Sequence, residues 1–458
     1  MKPRIQLNTD HPVFTQQYPV PHKMREIMEE QVGELVRDGI VEPSDSPYNS
    51  PTIVVPKTDQ GFRLVVDFRK LNKHLVIDKF PLPRIDHILQ ELGKAKYFSV
   101  LDLLWGFYNL EIDPQDRHKT AFSSPRGHWQ FTRLPMGLAN SPSIFQRLMN
   151  LVLAKTLGMY AFIYIDDIIV YSSTAKDHMK HLADIIQRIA KAGLRFKCSK
   201  SQLFRTVIKY LGFVISPQGL EVNPEKMKAV EKFPRPTNVK GIQAFLGLVG
   251  YFRIFVLHFA DKARPLTRLL RKDEPFVWGP EQEQAFQELK QSLLKAPVLA
   301  HPNFDKRFIL TTDASQDAIG AILTQPDENG KERLIACASK QLKKSERKMS
   351  NTDREVLAAV YGILQHRAYL WGNRFTLRTD HAAIPFLVRN TSDSARAVRW
   401  YMAVSPYTFD CEHRHGKRIA HADALSRFPY MPDESDKKDE KENDPFDETD
   451  ISMDEIRM

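Results

Sequence analysis

Period-two and period-3.6 patterns of apolar residues divide this chain into elements before any chemistry is considered. Tyr97–Asp102 alternates as a strand does and ends on a carboxylate. Two short apolar runs, 161–163 and 168–170, flank Tyr164-Ile165-Asp166-Asp167, which predicts a β-hairpin with adjacent carboxylates at its tip. Met24, Ile27, Met28, Leu35 and Val36 fall on one face of a helix ending near Gly39. Residues 51–95 read as strands broken by Gly61 and Pro81. After Pro142, the residues Ile144, Phe145, Leu148, Met149 and Val152 recur at helical spacing and should pack beneath the hairpin. A second hairpin is expected where 210–215 and 220–222 flank the turn sequence Ser216-Pro217-Gln218-Gly219. Residues 238–272 read as helical, with Phe245, Tyr251 and Phe252 interleaved with Arg253, Arg264, Arg268 and Arg271. Near Lys306 a separate α/β unit should begin: strand 307–312, helix 352–369, strand 374–379 and a last helix around 422–427.

Composition sharpens this picture in two places. At 458 residues the chain is too long for one hydrophobic core and should form several subdomains. Its formal charge is +10, but residues 431–458 hold 12 Asp and Glu against 4 Lys and Arg, which leaves +18 on residues 1–430. That body suits a polyanion, although solubility explains a positive charge equally well. The tail, low in apolar residues, is expected to be disordered. Cys198, Cys337 and Cys411 are far apart, so neither a disulfide framework nor a cysteine zinc site is expected. With no secretory leader pattern and no apolar run of bilayer length, the expectation is a soluble intracellular protein with no membrane partner.

The carboxylates carry the chemistry. If Asp102 meets Asp166 and Asp167, three carboxylates could hold two Mg²⁺ ions for phosphoryl transfer. The tetrapeptide alone is better read as an ordinary polar turn. The rest of the chain decides between the two readings.

From Pro51 onward the sequence resembles the reverse transcriptase of gypsy-type LTR retrotransposons and their retroviral relatives. The matching stretches run in order: Val54-Val55-Pro56-Lys57, Phe62-Arg63-Leu64-Val65-Val66-Asp67-Phe68-Arg69-Lys70-Leu71-Asn72, Phe80-Pro81-Leu82-Pro83, and Phe98-Ser99-Val100-Leu101-Asp102. Lys119-Thr120-Ala121-Phe122, Leu134-Pro135-Met136-Gly137-Leu138, Tyr164–Asp167 and Leu211-Gly212-Phe213 follow. A second set is similar to the same family's RNase H: Thr312-Asp313-Ala314-Ser315, Arg354-Glu355, Thr379-Asp380-His381 and Ala422-Asp423-Ala424-Leu425-Ser426-Arg427.

The resemblance implies an α+β multidomain fold: a right-hand polymerase with fingers, palm and thumb, a connection segment, then an α/β RNase H-like domain. The expected boundaries are 1–50 for an N-terminal extension and first helix, 51–223 for fingers and palm, and 224–305 for thumb and connection. Residues 306–428 would form the RNase H domain and 429–458 the acidic tail. By the same resemblance, Asp102, Asp166 and Asp167 would bind two metal ions for synthesis. Lys57 and Arg63 would meet the incoming triphosphate, and Phe107 would abut the 2′ position of its sugar. Asp313, Glu355, Asp380 and Asp423 match the RNase H carboxylates and would hold two further ions. Each has an ordinary reading too: Glu355 lies three residues after Thr352, a capping-box spacing, and Asp423 could favour a helix N-terminus. His413, His415 and His421 crowd the region before Asp423, and none is assigned a role.

Two departures touch the nucleotide side. Trp105-Gly106-Phe107-Tyr108-Asn109 stands where the family usually has Ser-Gly-Tyr-(His/Tyr)-Gln, and Met136 stands where retroviral enzymes carry a glutamine. Neither removes a metal ligand. Protease, integrase and nucleocapsid patterns are absent, so the chain is expected to be a segment of a pol polyprotein, a product of its processing or a truncated copy. The implied function is RNA-directed DNA synthesis with RNase H activity, using Mg²⁺ or Mn²⁺, dNTPs, an RNA template, a DNA or RNA primer and an RNA–DNA hybrid. A homodimer is left open, and the expected location is the cytoplasm, within a virus-like particle, or the nucleus. The rival reading is a catalytically decayed copy that only binds nucleic acid.

Overall fold

The computed structural model describes residues 2–56, 61–93, 95–380 and 395–413. Lys57, Asp423, His415, His421, the 422–427 helix and the acidic tail lie outside the described residues. The chain forms two compact units, Met1–Ile208 and Lys209–Met458.

In the first unit, α1 (His22–Arg37) precedes β1 (Val41–Pro43), the ribbon β2 (Thr52–Pro56) and β3 (Phe62–Val66), and the short α2 (Arg69–Asn72). The first helix buries Met28 and Val32, whereas Val36, expected on its apolar face, is exposed. The strand expectation for 51–95 fails at its end, where α3 (Ile85–Leu92) buries Ile88, Leu89 and Leu92. Those spacings of one, three and four residues follow a helix, not a strand, and Pro83 and Gly93 bound the segment. Next come β4 (Tyr97–Asp102), β5 (Phe122–Ser124), β6 (Gly127–Phe131), α4 (Ser141–Val152), β7 (Ala161–Tyr164), β8 (Asp167–Ser172), α5 (Ala175–Lys191) and β9 (Gln202–Arg205). The central sheet is ordered β7-β8-β4-β9. Ile168 through Ser172 are all buried, because helices cover the sheet; a strand buried on both faces reads as a continuous apolar run. Phe122, Phe131, Phe145, Met149, Ile168 and Ile185 share one core.

The strand β10 (Ile208–Tyr210) spans the division between the units. In the second unit, β11 (Phe213–Ser216) and β12 (Gly219–Val222) make the expected hairpin, followed by α6 (Pro224–Glu231), α7 (Val239–Gly250), α8 (Phe259–Arg268) and α9 (Pro280–Leu294). The predicted 238–272 helix is thus broken between α7 and α8, with His258 in the left-handed region at φ 51°. Phe245 and Phe286 meet at 4.6 Å between ring centroids and tie α7 to α9.

The rest of this unit is a five-stranded mixed sheet with helices on it. Its strands are β13 (Phe308–Ala314), β14 (Ala318–Pro326), β15 (Glu332–Gln341), β16 (Phe375–Thr379) and β17 (Phe409–His413), in the order β15-β14-β13-β16-β17. β13, β14 and β15 pair antiparallel, whereas β13, β16 and β17 run parallel. The helices are α10 (Lys344–Arg347), α11 (Asn351–Gln365), α12 (Arg367–Leu370) and α13 (Ala395–Val404). α11 lies very close to the sheet at Gly362, where an added Cβ would come within 2.9 Å of the Thr312 side chain and 3.0 Å of Ala321. Glycine permits that approach, which carries Glu355 down onto β13. Among the described residues, no helix is long and apolar enough to cross a membrane.

Candidate active sites

In the first unit, pairing of β4 with β8 places Asp102 directly opposite Asp167, and Asp166 occupies the turn beside them. The three carboxylates act on one another. Burial, then Asp166 and Asp102, pushes Asp167 up to about 6. Burial and Asp102 also raise Asp166, while Lys200 pulls it back down. The segment after α5 brackets this corner: Lys197 donates its backbone N–H to the Asp102 carbonyl at 2.8 Å, and the Ser201 hydroxyl accepts from Asp102 N–H at 3.2 Å. Further along the same strands, buried His178 bridges the Ser99 and Ser172 hydroxyls at 2.8 and 3.0 Å, tying β4 to β8. Burial holds its pKa down to about 4.

The turn itself is strained. Ile165 is β-branched yet sits at φ 59°, a conformation costing about 1–3 kcal/mol unless its surroundings enforce it. Gln146, a fully buried residue of α4, enforces it. Its Oε1 accepts from the Ile165 N–H at 2.7 Å, and its Nε2 donates to the Ile163 carbonyl at 3.3 Å and to Asn150 Oδ1 at 2.9 Å. Gln146→Ala would orphan the Ile165 N–H, a loss of about 1–3 kcal/mol. The expected result is primer extension slowed by about ten- to a hundred-fold, with hybrid cleavage unchanged as the internal control in the same reaction.

Around this corner the sequence-predicted nucleotide residues take up different positions. Phe107 is half-buried, its ring edge-on to Phe145 of α4 at 5.5 Å. Arg63 is exposed on β3, and its charge reaches the neighbouring Tyr108 hydroxyl. Trp105, half-exposed at φ 68°, begins the turn, and Asn109 closes it by donating to the Leu104 and Gly106 carbonyls at 2.8 and 2.9 Å. The loop bearing exposed Met136 is gripped by Asn72, which donates to the Gly137 carbonyl and accepts from Ala139 N–H, each at 2.9 Å. Gly137 at φ 94° lies against the Val66 carbonyl, so this loop requires glycine there.

In the second unit, Asp313 of β13, Glu355 of α11 and Asp380 after β16 bring one carboxylate oxygen each within 4.8 Å of the others. Glu355 is 4% exposed, and its Oε2 has no hydrogen-bond partner among the described residues. A buried, unpartnered carboxylate oxygen beside two more carboxylates fits a divalent cation. Burial, Asp313 and Asp380 push Glu355 up to about 8. The capping-box reading of Glu355 is overturned: the N-cap of α11 is Ser350, whose side chain accepts from Asp353 N–H. His413, at the end of β17, has Nε2 2.9 Å from the Asp380 backbone carbonyl, so the ring supports the chain at that carboxylate.

Glu355 implies a pH dependence of definite sign. Between its ordinary pKa of 4.5 and about 8, the metal-free folded chain retains a proton on Glu355 that the unfolded chain has lost. Stability from this group is therefore full at low pH and is lost as pH rises through 8. Without divalent metal, melting of the second unit should occur at lower temperature at pH 8.5 than at pH 6. Glu355→Gln should flatten that difference, and added Mg²⁺ should restore more stability at the higher pH. Differential scanning calorimetry of both proteins checks all three.

Two protein families match this chain. The family "Reverse transcriptase (RNA-dependent DNA polymerase)" matches residues 55–215, and "RNase H-like domain found in reverse transcriptase" matches 278–377. The retrovirus-related Pol polyprotein from transposon opus of Drosophila melanogaster is 39% identical over 446 residues, covering 94% of this chain. This chain holds a reverse transcriptase domain and an RNase H-like domain, and its relatives are gypsy-type retrotransposon Pol polyproteins. The Pol polyprotein from transposon gypsy of the same organism is 38% identical over 91% of the chain. The chain spans less than half the length of these relatives, 44% of the opus polyprotein and 42% of the gypsy one. Among solved structures, a foamy viral protease–reverse transcriptase in complex with dsDNA superposes with a TM-score of 0.75 at 25% identity, covering 90% of this chain and 88% of that one. A second foamy viral structure matches with a TM-score of 0.76 at 23% identity, over 92% of this chain and 73% of that one.

Sequence reading overlooked Gln146 and Lys200 at the first carboxylate corner and Asn72 beneath the Met136 loop, and it left His413 unassigned. Gln146 left a trace, being polar on the apolar face of α4 between Phe145 and Met149. Asn72 and Lys200 left none, since each acts through a contact distant in sequence.

Proposed function

We propose that this chain is an RNA-directed DNA polymerase joined to a ribonuclease H, extending a primer 3′-hydroxyl with dNTPs and cutting RNA within the hybrid. The observation that carries the reading is the presence of two separate carboxylate corners in one chain, each in the unit whose family match calls for it. Asp102, Asp166 and Asp167 would hold Mg²⁺ for synthesis; Asp313, Glu355 and Asp380, with Asp423, would hold it for cleavage. When bound, such ions supply Lewis-acid stabilisation of the attacking and leaving oxygens.

The chain's own residues do the remaining work. Lys57 and Arg63 offset the triphosphate charge, Arg63 through its planar fork. Phe107, backed by Phe145, fills the space a ribose 2′-hydroxyl would need. Lys200 favours the ionised form of Asp166. A duplex substrate is supported by the foamy viral relative solved with dsDNA.

Primer extension on a labelled RNA template with Mg²⁺ or Mn²⁺, scoring DNA made and RNA cut together, tests the whole reading. Both products, lost on chelation, are the expected outcome. Tight hybrid binding with neither product would replace it by a decayed, binding-only copy.

A further inference from the structure

The turn that follows Asp313 is held by residues from outside the RNase H-like match, which begins at residue 278. The side chain of Arg264, on α8, forms an ion pair with Asp317. One turn of helix earlier, Asp261 accepts from the Ser315 hydroxyl at 3.2 Å. Ser315 Oγ in turn accepts from Ala318 N–H at 2.9 Å, closing the β13–β14 turn two residues after Asp313. Arg347 reaches the other oxygen of Asp317 at 3.5 Å, and Arg354, adjacent to Glu355, donates to the Ser315 carbonyl at 3.1 Å.

The helix is seated firmly enough to transmit this hold. Ala260 N–H donates to Ser339 Oγ at 2.9 Å, and Gln341 Nε2 donates to the Ala260 carbonyl and Thr267 Oγ1 at 3.2 and 3.0 Å. The ring of His258 lies over Gly320, so close that an added Cβ would sit 3.1 Å from it. Gly320 is the cross-strand partner of Asp313. Helix α8 therefore touches the strand opposite the carboxylate and the turn beyond it. Arg264, one of the arginines interleaved with aromatics in the sequence of this region, is committed to Asp317.

We propose that α8 positions the RNase H carboxylate Asp313, with Arg264 and Asp261 as positioning residues that set metal affinity there through the 315–317 turn. This rests on the RNase H reading of the second unit. Full-length wild type, Arg264→Ala, Asp317→Ala and the swapped pair Arg264→Asp with Asp317→Arg would be compared in three assays: hybrid cleavage across Mg²⁺ concentrations, equilibrium Mn²⁺ binding, and primer extension. Each single change should raise the Mg²⁺ concentration for half-maximal cleavage by about ten-fold, as loss of an outer-shell support does. Mn²⁺ binding at one class of sites should weaken in parallel, extension should stay within two-fold of wild type, and the swapped pair should recover most of both losses. Equal Mg²⁺ midpoints in all four proteins overturn the proposal. Loss of cleavage and extension together in every variant also overturns it, because that marks general loss of packing. If wild type does not cut hybrid, yet single changes weaken Mn²⁺ binding and the swap restores it, the clamp stands and the RNase H reading falls.

Discussion

Asp166→Asn is expected to abolish primer extension, by about 10²-fold or more, while leaving cleavage of RNA in a preformed hybrid at the wild-type rate. The substitution keeps the side chain's shape at the hairpin tip, so the Ile165 turn and its Gln146 clasp persist. What it removes is one negative charge from a corner where Asp102 and Asp167 already repel it. Because burial and those neighbours disfavour the ionised form, neutralising it should leave the metal-free fold as stable as before or slightly more so. Lost synthesis then cannot be assigned to unfolding, and a melting curve alongside the extension assay checks the point. Wild-type extension by the variant would remove Asp166 from the chemistry.

Glu355→Gln is the complementary case, with hybrid cleavage expected to fall by about 10²-fold or more and primer extension unchanged. Glu355 is the most buried of its three carboxylates, and its Oε2 has no partner among the described residues. Glutamine keeps its volume in the tight seat of α11 against β13 but offers an amide where a charge is needed. Asp380→Asn should act the same way through an exposed position. Unchanged cleavage in both variants would dismiss the second corner as a nuclease site. Taken as a pair with Asp166→Asn, these changes separate two activities within one chain, which no single inactive protein could do.

The sequence alone determined the elements that a local pattern can carry. The alternation of Tyr97–Asp102, the runs either side of Asp166-Asp167 and the helical spacing after Pro142 each became the element expected. So did the β-hairpin at Ser216–Gly219 and the strands and helix expected between Lys306 and Thr379, although these share one compact unit with the residues from Lys209 onward. These succeed because alternation and helical periodicity are written in neighbouring residues. The strand expectation for 51–95 fails at α3, where β-branched Ile85 and Ile88 suit either element although the spacing of the apolar residues is helical.

The tertiary structure decided everything that depends on distant residues meeting. Asp102 faces Asp167 across 65 positions only because β4 and β8 pair in one register, since a slip of one residue would turn the aspartate away. Ile165 tolerates its backbone because Gln146 arrives from another helix, and Glu355 lost its capping role because Ser350, not Thr352, begins α11. The commitment of Arg264 to Asp317 follows the same logic: a surface arginine and a paired one look alike in sequence, and only the partner 53 residues away distinguishes them.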